Sequence, residues 1–365
     1  MAKKVHVSIV FNEPTTDTNG VRRYISQNGK IEEFATREQL LAGLSPETVD
    51  LSEVGVLEER EHVQRVLHDA GYQTSLFNMN GDIKRLIRFL EQKKPDLIFN
   101  LCESVGNLAI HEMHVAGIYE LMGVPYTGAG AFALGTCLQK ARVKEILTAH
   151  KILTPRSIVF ATVNDLEDGH DLNYPLIVKP AREDASIGIE NDSVVRDIHA
   201  LKKRVRHIFS EYEQPALVEE YIEGREINVA ILGNKKAVVL PISEIDFSGL
   251  PDDYPKIVTY NAKWMQGSPE FIGTVGVCPA KLPAEVEKRA KEMALKAFKL
   301  MGLRDYARID IRLTKNFTPY VIEVNPNPDI SDDAGFARSA RAYGLSFEET
   351  VCKIVEHALE RSRKI

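Results

Sequence analysis

An α/β architecture is what this sequence predicts, on three observations. Between Val5 and Thr127, short apolar runs alternate with amphipathic helical stretches, the pattern of a parallel sheet with helices on its faces. Farther on, Tyr306–Leu313 and Tyr320–Asn325 alternate apolar residues with charged or amide ones around a turn, which reads as a hairpin with one polar face. The chain has 365 residues, enough for more than one domain or one large composite.

Taken in order, residues 5–11 read as a buried first strand. Residues 12–50 are polar and read as a long insertion or flexible arm. Residues 54–70 have helical spacing and stop at Gly71, a normal C-terminal signal. Strands are expected at 72–77, 96–101 and 124–127, and helices at 83–92 and 111–122. A basic helix over 138–150 puts Lys140 and Lys144 on one face. A new unit begins at 152–160, and strands follow at 175–179, 216–220, 227–232 and 238–244. Residues 247–266 are irregular and suggest a loop over a site. Helices at 283–301 and 347–361 flank the hairpin.

Charge and cysteine content narrow the function. A formal net charge of −6 gives no support for nucleic acid or an anionic membrane as partner. The four cysteines are scattered without a CxxC pair, which suits reduced thiols in a cytoplasm. The N-terminal apolar run is too short for a signal peptide, and no segment approaches the ~18 apolar residues of a membrane span.

The hairpin is the chemical centre. Folded back, it can bring Asp310, Glu323 and Asn325 to one side with Arg308 beside them. Two carboxylates and an amide oxygen are hard ligands suited to Mg²⁺. The alternative is a hairpin whose polar face meets solvent. Strand-centred carboxylates and the rigid exit Asn325-Pro-Asn-Pro328 favour a site. Lys179 ends an apolar strand before a loop with Ser186 and Gly188, one point charge plus backbone N–H groups, as phosphate binding requires; a snorkelling lysine is the bland alternative. Acidic residues around Ile222 could bond an adenine amino group and a ribose hydroxyl, or could end a solvated hairpin. Gly128-Ala-Gly130-Ala-Phe-Ala133 is discounted as a dinucleotide fingerprint because the acidic residue after a following strand is missing. His111-Glu-Met-His114 is one residue short of HExxH and has no evident third ligand.

Together, YELMGVPYTGAG (119–130), PLIVKPAREDASIGI (175–189), EEYIEGREINVAIL (219–232) and ARIDIR…YVIEVNPNP resemble the ATP-grasp superfamily, and within it the D-alanine–D-alanine ligase family, from about Glu53 onward. The resemblance implies a three-domain ATP-grasp fold. Its expected parts are an N-terminal α/β substrate domain (1–134), a central subdomain (135–215) and a C-terminal subdomain with the Mg²⁺ site (216–365). It implies that Lys140 and Lys179 meet the ATP phosphates, that Ser186, Ile187 and Gly188 close over them, that Glu219, Glu220 and Ile222 contact adenine, and that Glu226 contacts ribose. Asp310, Glu323 and Asn325 resemble the ligands of two Mg²⁺ ions, with Mn²⁺ an acceptable substitute. Arg308 resembles the oxyanion-stabilising arginine, Glu53 the glutamate that holds the first substrate's ammonium, and Lys263 the lysine of the closing loop. The implied reaction is ADP-forming: a carboxylate takes the γ-phosphoryl group and an amine displaces phosphate from the acylphosphate. The expected partners are therefore small-molecule carboxylate and amine substrates.

The sequence departs from the family pattern in its acceptor half. The phosphate loop has Ala185-Ser186 in place of two serines, and the closing loop has Lys263-Trp264 in place of Lys-Tyr. Asp329 replaces a glycine, and Ala334-Gly335 replaces the Ser-Leu pair that holds the second substrate's carboxylate. Asp329 and Asp332 would repel a carboxylate and welcome a cationic acceptor. The expected function is thus a carboxylate–amine ligase with a non-standard acceptor. The alternatives are a genuine D-alanine–D-alanine ligase of cell-wall precursor synthesis and a non-catalytic ATP-binding regulator. A homodimer through the N-terminal domain stays open.

Overall fold

Four sheets organise the molecule, and their arrangement follows from which strand faces are apolar. The computed structural model describes residues 4–12, 22–25, 31–34, 56–105, 108–167, 169–332 and 334–362. Strands β1 (His6–Phe11), β4 (Gln73–Asn78) and β5 (Leu97–Leu101) form a parallel sheet in the order β4-β1-β5. β1 and β5 are almost wholly buried, so helices Val56–Asp69 and Ile83–Lys93 can cover opposite sides of a continuous apolar layer. The expected strand at 124–127 is reduced to one bridge, Ile98 to Tyr126. Within the polar insertion, β2 (Arg22–Ile25) and β3 (Ile31–Phe34) form an antiparallel pair.

A second sheet, antiparallel, holds β6 (Ser157–Phe160), β7 (Leu176–Pro180), β8 (Val194–Val195) and β9 (Ala216–Glu220) in the order β6-β9-β7-β8. Helix Ile198–Tyr212 closes its own apolar core through Leu201, Val205 and Ile208. Because β9 pairs on both sides inside this sheet, it belongs with the central layer and not with a C-terminal segment beginning at 216.

The third large sheet contains β10 (Arg225–Leu232), β11 (Val238–Val239), β12 (Ser243–Asp246), β13 (Val275–Val277), β14 (Tyr306–Leu313) and β15 (Pro319–Asn325). Its order is β13-β12-β10-β14-β15, with β11 beside β10. The single strand expected over 238–244 is broken, since Pro241 has no N–H to continue the ladder. Helix Ala284–Leu300 packs its alanine stripe against this sheet. Helices Gly335–Tyr343 and Phe347–Ser362 join the sheet to the N-terminal layer in one shared core.

The hairpin β14–β15 pairs Asp310 with Glu323 and Arg308 with Asn325. The ladder shifts between Asp310 and Ile311, where Ile322 becomes an extra residue. Strict alternation would put Val321 on the polar face with Glu323. The bulge corrects that expectation: Val321 and Val324 are both buried, while Tyr320 and Ile322 are half-buried. The helix expected over 138–150 is Lys140–Ala149, and a separate short helix, Ala131–Leu138, precedes it and meets it at Gln139.

Candidate active site

Residues paired directly across an antiparallel ladder point to the same side. Arg308, Asp310, Glu323 and Asn325 therefore share one face, and Asn228 of β10, opposite Asp310, joins them. Asp310 is the hub. It accepts Arg308 Nε at 2.8 Å and Nη2 at 2.9 Å, Asn228 Nδ2 at 2.7 Å and Asn325 Nδ2 at 2.9 Å. The bidentate guanidinium fixes both carboxylate oxygens and aims Arg308 along the sheet. Burial works against the Arg308 charge, but Asp310 and Glu323 outweigh it and hold the guanidinium firmly protonated.

Glu323 bonds Lys140, which reaches in from the first turn of its helix. Burial would raise the Glu323 pKa, but Lys140 overrides it and holds the carboxyl down at about 2. Lys140 is held above the usual lysine range in turn: burial lowers it and Glu323 more than restores it.

Glu219, 1% exposed, lies between Lys144 Nζ at 3.1 Å and Lys179 Nζ at 3.2 Å. Burial opposes its ionisation, and the two lysines win. Its carboxylate is thus held ionised between two lysines. Glu220 is likewise engaged by Arg156 at 3.3 Å and by the Asn173 backbone N–H at 3.0 Å. Glu226 pairs with Arg312 at 3.0 Å, and burial leaves its carboxyl raised despite that partner. Arg312 also donates to the carbonyls of Ile222 at 3.0 Å and Lys256 at 2.8 Å, so it pins both loops flanking this end of the sheet.

Lys263 sits on the short helix Tyr260–Trp264 in the field of Arg308, Glu323 and Asp310; burial first, then Arg308, lowers its pKa. Ser186, Ile187 and Gly188 lie in the loop after β7, beyond Lys179. Glu53 lies outside the described residues.

The donor set fits a hard cation. Asp310, Glu323 and Asn325 offer only oxygen, and the Asn325 amide nitrogen bonds Asp310, which leaves its Oδ1 for a ligand. Among the described residues no group of three His, Cys, Asp or Glu side chains is placed to hold a metal ion. In the HExxH-like segment, His111 and His114 face each other at 3.0 Å between Nδ1 atoms, and Glu112 turns instead to Asn327 at 2.8 Å.

Sequence reasoning gave no site role to Asn228, Lys144, Arg312 or Asn327, although Lys144 shares a helical face with Lys140 and Asn327 lies in the rigid hairpin exit. Asn327 answers for the glycine-rich segment: its Oδ1 accepts the Ala129 N–H at 2.9 Å, and a Cβ on Gly128 would lie 2.3 Å from that oxygen. No helix among the described residues is long and apolar enough to cross a membrane.

The family model described as D-ala D-ala ligase C-terminus matches residues 153–356. A D-alanine–D-alanine ligase of Carboxydothermus hydrogenoformans is 32% identical over 82% of this chain and 92% of its own length. An uncharacterized protein, y4sG, of Sinorhizobium fredii is 31% identical over 82% of this chain and 87% of its own. The crystal structure of a D-alanine–D-alanine ligase from Bacillus anthracis complexed with ATP superposes with a TM-score of 0.71 at 23% identity, covering 100% of this chain and 99% of that one. That likeness establishes the ATP-grasp fold.

Proposed function

The chain belongs to the D-alanine–D-alanine ligase family, and from that premise we propose an ATP-dependent, ADP-forming ligase that joins a carboxylate to an amine through an acylphosphate. The observation that supports this reading most is the face shared by Arg308, Asp310, Glu323 and Asn325. A protein that only bound nucleotide would have no use for an arginine locked by two bonds beside a metal-type carboxylate. In this reading Lys140 and Lys179 take ATP phosphates, with Ser186, Ile187 and Gly188 above them. Ile222 and Glu226 border the base and ribose. Glu220, tied to Arg156, shapes the rim, and Glu219 sets the lysines. Asp310, Glu323 and Asn325 hold Mg²⁺, or Mn²⁺ in its place, which when bound neutralises charge in phosphoryl transfer. Arg308 and Lys263 stabilise the oxyanion that forms when the amine attacks. Glu53 holds the donor's ammonium. The division into an N-terminal region, a central region ending after β9 and a C-terminal region, the homodimer and the cytoplasmic setting belong to the same proposal.

Two acceptors compete. Relatives named D-alanine–D-alanine ligase favour D-alanine. A small cleft lined by Glu59, Glu103, Glu112 and Asp329, together with Asn100 and Asn327, favours a cationic amine. ADP release with ATP and Mg²⁺ separates them, run with D-alanine alone and with D-alanine paired with lysine or 1,4-diaminobutane. Asp310→Asn is the control, and the expected loss is about a hundredfold or more. Turnover with D-alanine alone makes this a D-alanine–D-alanine ligase. Turnover only with the cationic partner remakes the acceptor. ATP binding without any turnover favours the regulator.

A further inference from the structure

Arg312 closes a network at the opposite end of the polar face from Arg308. On β14 and β10, Arg308 lies opposite Ala230, Asp310 opposite Asn228 and Arg312 opposite Glu226, so all six residues share one side of the sheet. Arg312 is 3% exposed, and three of its nitrogens make four bonds. Nε donates to the Ile222 carbonyl at 3.0 Å, and Nη1 to Glu226 Oε2 at 3.0 Å and to the Lys256 carbonyl at 2.8 Å. Nη2 donates to the Tyr221 hydroxyl at 3.1 Å, which itself donates to the Lys256 carbonyl at 3.1 Å. The guanidinium carbon also lies 5.2 Å from the centre of the Tyr221 ring and 5.9 Å from that of Phe247. A buried ion pair stabilises a fold no more than well-packed apolar residues of the same volume. What a planar fork with fixed partners does supply is orientation.

The group it orients is Glu226, 8% exposed. Arg312 engages only Oε2, and Oε1 has no hydrogen-bond donor among the described residues. Buried polar atoms are normally paired, so a free carboxylate oxygen here points to a donor brought by a ligand. A nucleotide's phosphates carry no such donor at neutral pH, whereas its sugar hydroxyls do. The position agrees. Arg312 stands two residues beyond Asp310, about 7 Å along the strand, a reach comparable to that from a nucleotide's phosphates to its sugar. Lys179, the lysine assigned to phosphate, acts on Glu226 through its charge.

We propose that Arg312 is a positioning residue that fixes the Glu226 carboxylate with one oxygen turned to the sugar hydroxyls, and so makes the site selective for ribonucleotides over deoxyribonucleotides. This rests on the reading of the site as an ATP site.

The test is calorimetry on the full chain with Mg·ATP, Mg·2′-deoxyATP and Mg·3′-deoxyATP. At least one deoxy form is expected to bind the wild type about tenfold or more weakly than Mg·ATP, the effect of a hydrogen bond to a charged group. Arg312→Met is expected to weaken Mg·ATP and to leave that deoxy form near its wild-type affinity, so the preference collapses. A merely structural arginine would weaken all three nucleotides alike and leave their ratios unmoved. Because methionine strands a buried carboxylate, a second comparison sets Glu226→Gln against Glu226→Gln with Arg312→Met, which leaves neither charge of the pair behind. If Arg312 acts through Glu226, those two variants share one ATP-to-deoxyATP ratio within about twofold. A further fall in the double variant overturns the positioning role. Equal wild-type affinity for all three nucleotides, or an unchanged preference in Arg312→Met, also overturns the proposal and leaves the ligase reading standing, because ATP still binds. Absence of any Mg·ATP binding to the wild type sinks the nucleotide reading, and the role of Arg312 falls with it.

Discussion

Glu112 is held in a contest between burial and a single amide. Burial pushes its carboxyl up, the Asn327 amide pulls it back, and Asp184 adds to the rise, leaving a pKa of about 8. A carboxyl raised in the folded state adds stability that is fully present below its unfolded pKa, near 4.5, and is lost as pH rises through about 8. We therefore expect wild-type stability to fall between pH 5 and about 8 more steeply than that of Glu112→Gln, which cannot ionise. Urea unfolding at several pH values checks it; parallel pH profiles for the two proteins would refute the assignment. Residue identity alone could not announce this behaviour. The carboxylates at 310 and 323 were legible because a strand's two-residue period fixes which side chains share a face. Asn228 was not, because its meeting with Asp310 depends on the β10–β14 pairing, 82 residues apart in sequence.

Elements were legible where one period ran uninterrupted, and they were missed where a buried polar group broke it. Helix Ile198–Tyr212 escaped notice because Arg204 takes a core-facing position beside Leu201, Val205 and Ile208, so its apolar stripe reads as a basic run. Its Asp197 N-cap was the signal that could have found it. The bulge at Ile322 is invisible to an alternation rule, yet it lets Val321 and Glu323 both be satisfied. At the start of β10, Gly224 takes φ +145°, and a Cβ there would meet the Leu313 carbonyl oxygen at 1.9 Å. That contact is backbone on backbone, so one strand has to move. Gly224→Ala should cost about 3 kcal/mol, combining left-handed strain with overpacking. It should also reduce activity, because β10 and β14 carry Asn228 and Asp310. A denaturation midpoint like that of the wild type would show the pairing to be more compliant than this geometry implies.

Between the N-terminal layer and the C-terminal sheet, two fastenings of different kinds act on neighbouring residues. Asp305, fully buried, accepts the Gly128 N–H at 2.9 Å and pairs with Arg361 at 2.7 Å, and Arg361 also bonds the Tyr126 carbonyl at 2.8 Å. This is a load of buried charge, and removing one partner of such a pair costs roughly 3–5 kcal/mol. Asn327, at the hairpin exit, instead spans from Ala129 to Glu112 with two neutral-donor bonds. It lines the cleft of Glu59, Glu103, Glu112 and Asp329. If the molecule separates nucleotide binding from substrate binding in this way, Asn327→Ala should leave Mg·ATP affinity within about twofold of wild type. Its net loss of stability should be about 1–3 kcal/mol, the cost of leaving a buried donor and acceptor unpaired. The effect should appear in the KM of the amine or carboxylate substrate, because Glu112 and the 128–130 turn would lose their common anchor. Calorimetry with Mg·ATP and steady-state kinetics on the same preparation read the two quantities. Should ATP affinity drop in step with substrate KM, Asn327 would be coupling the two layers as one unit, and the separation argued from its contacts would be wrong.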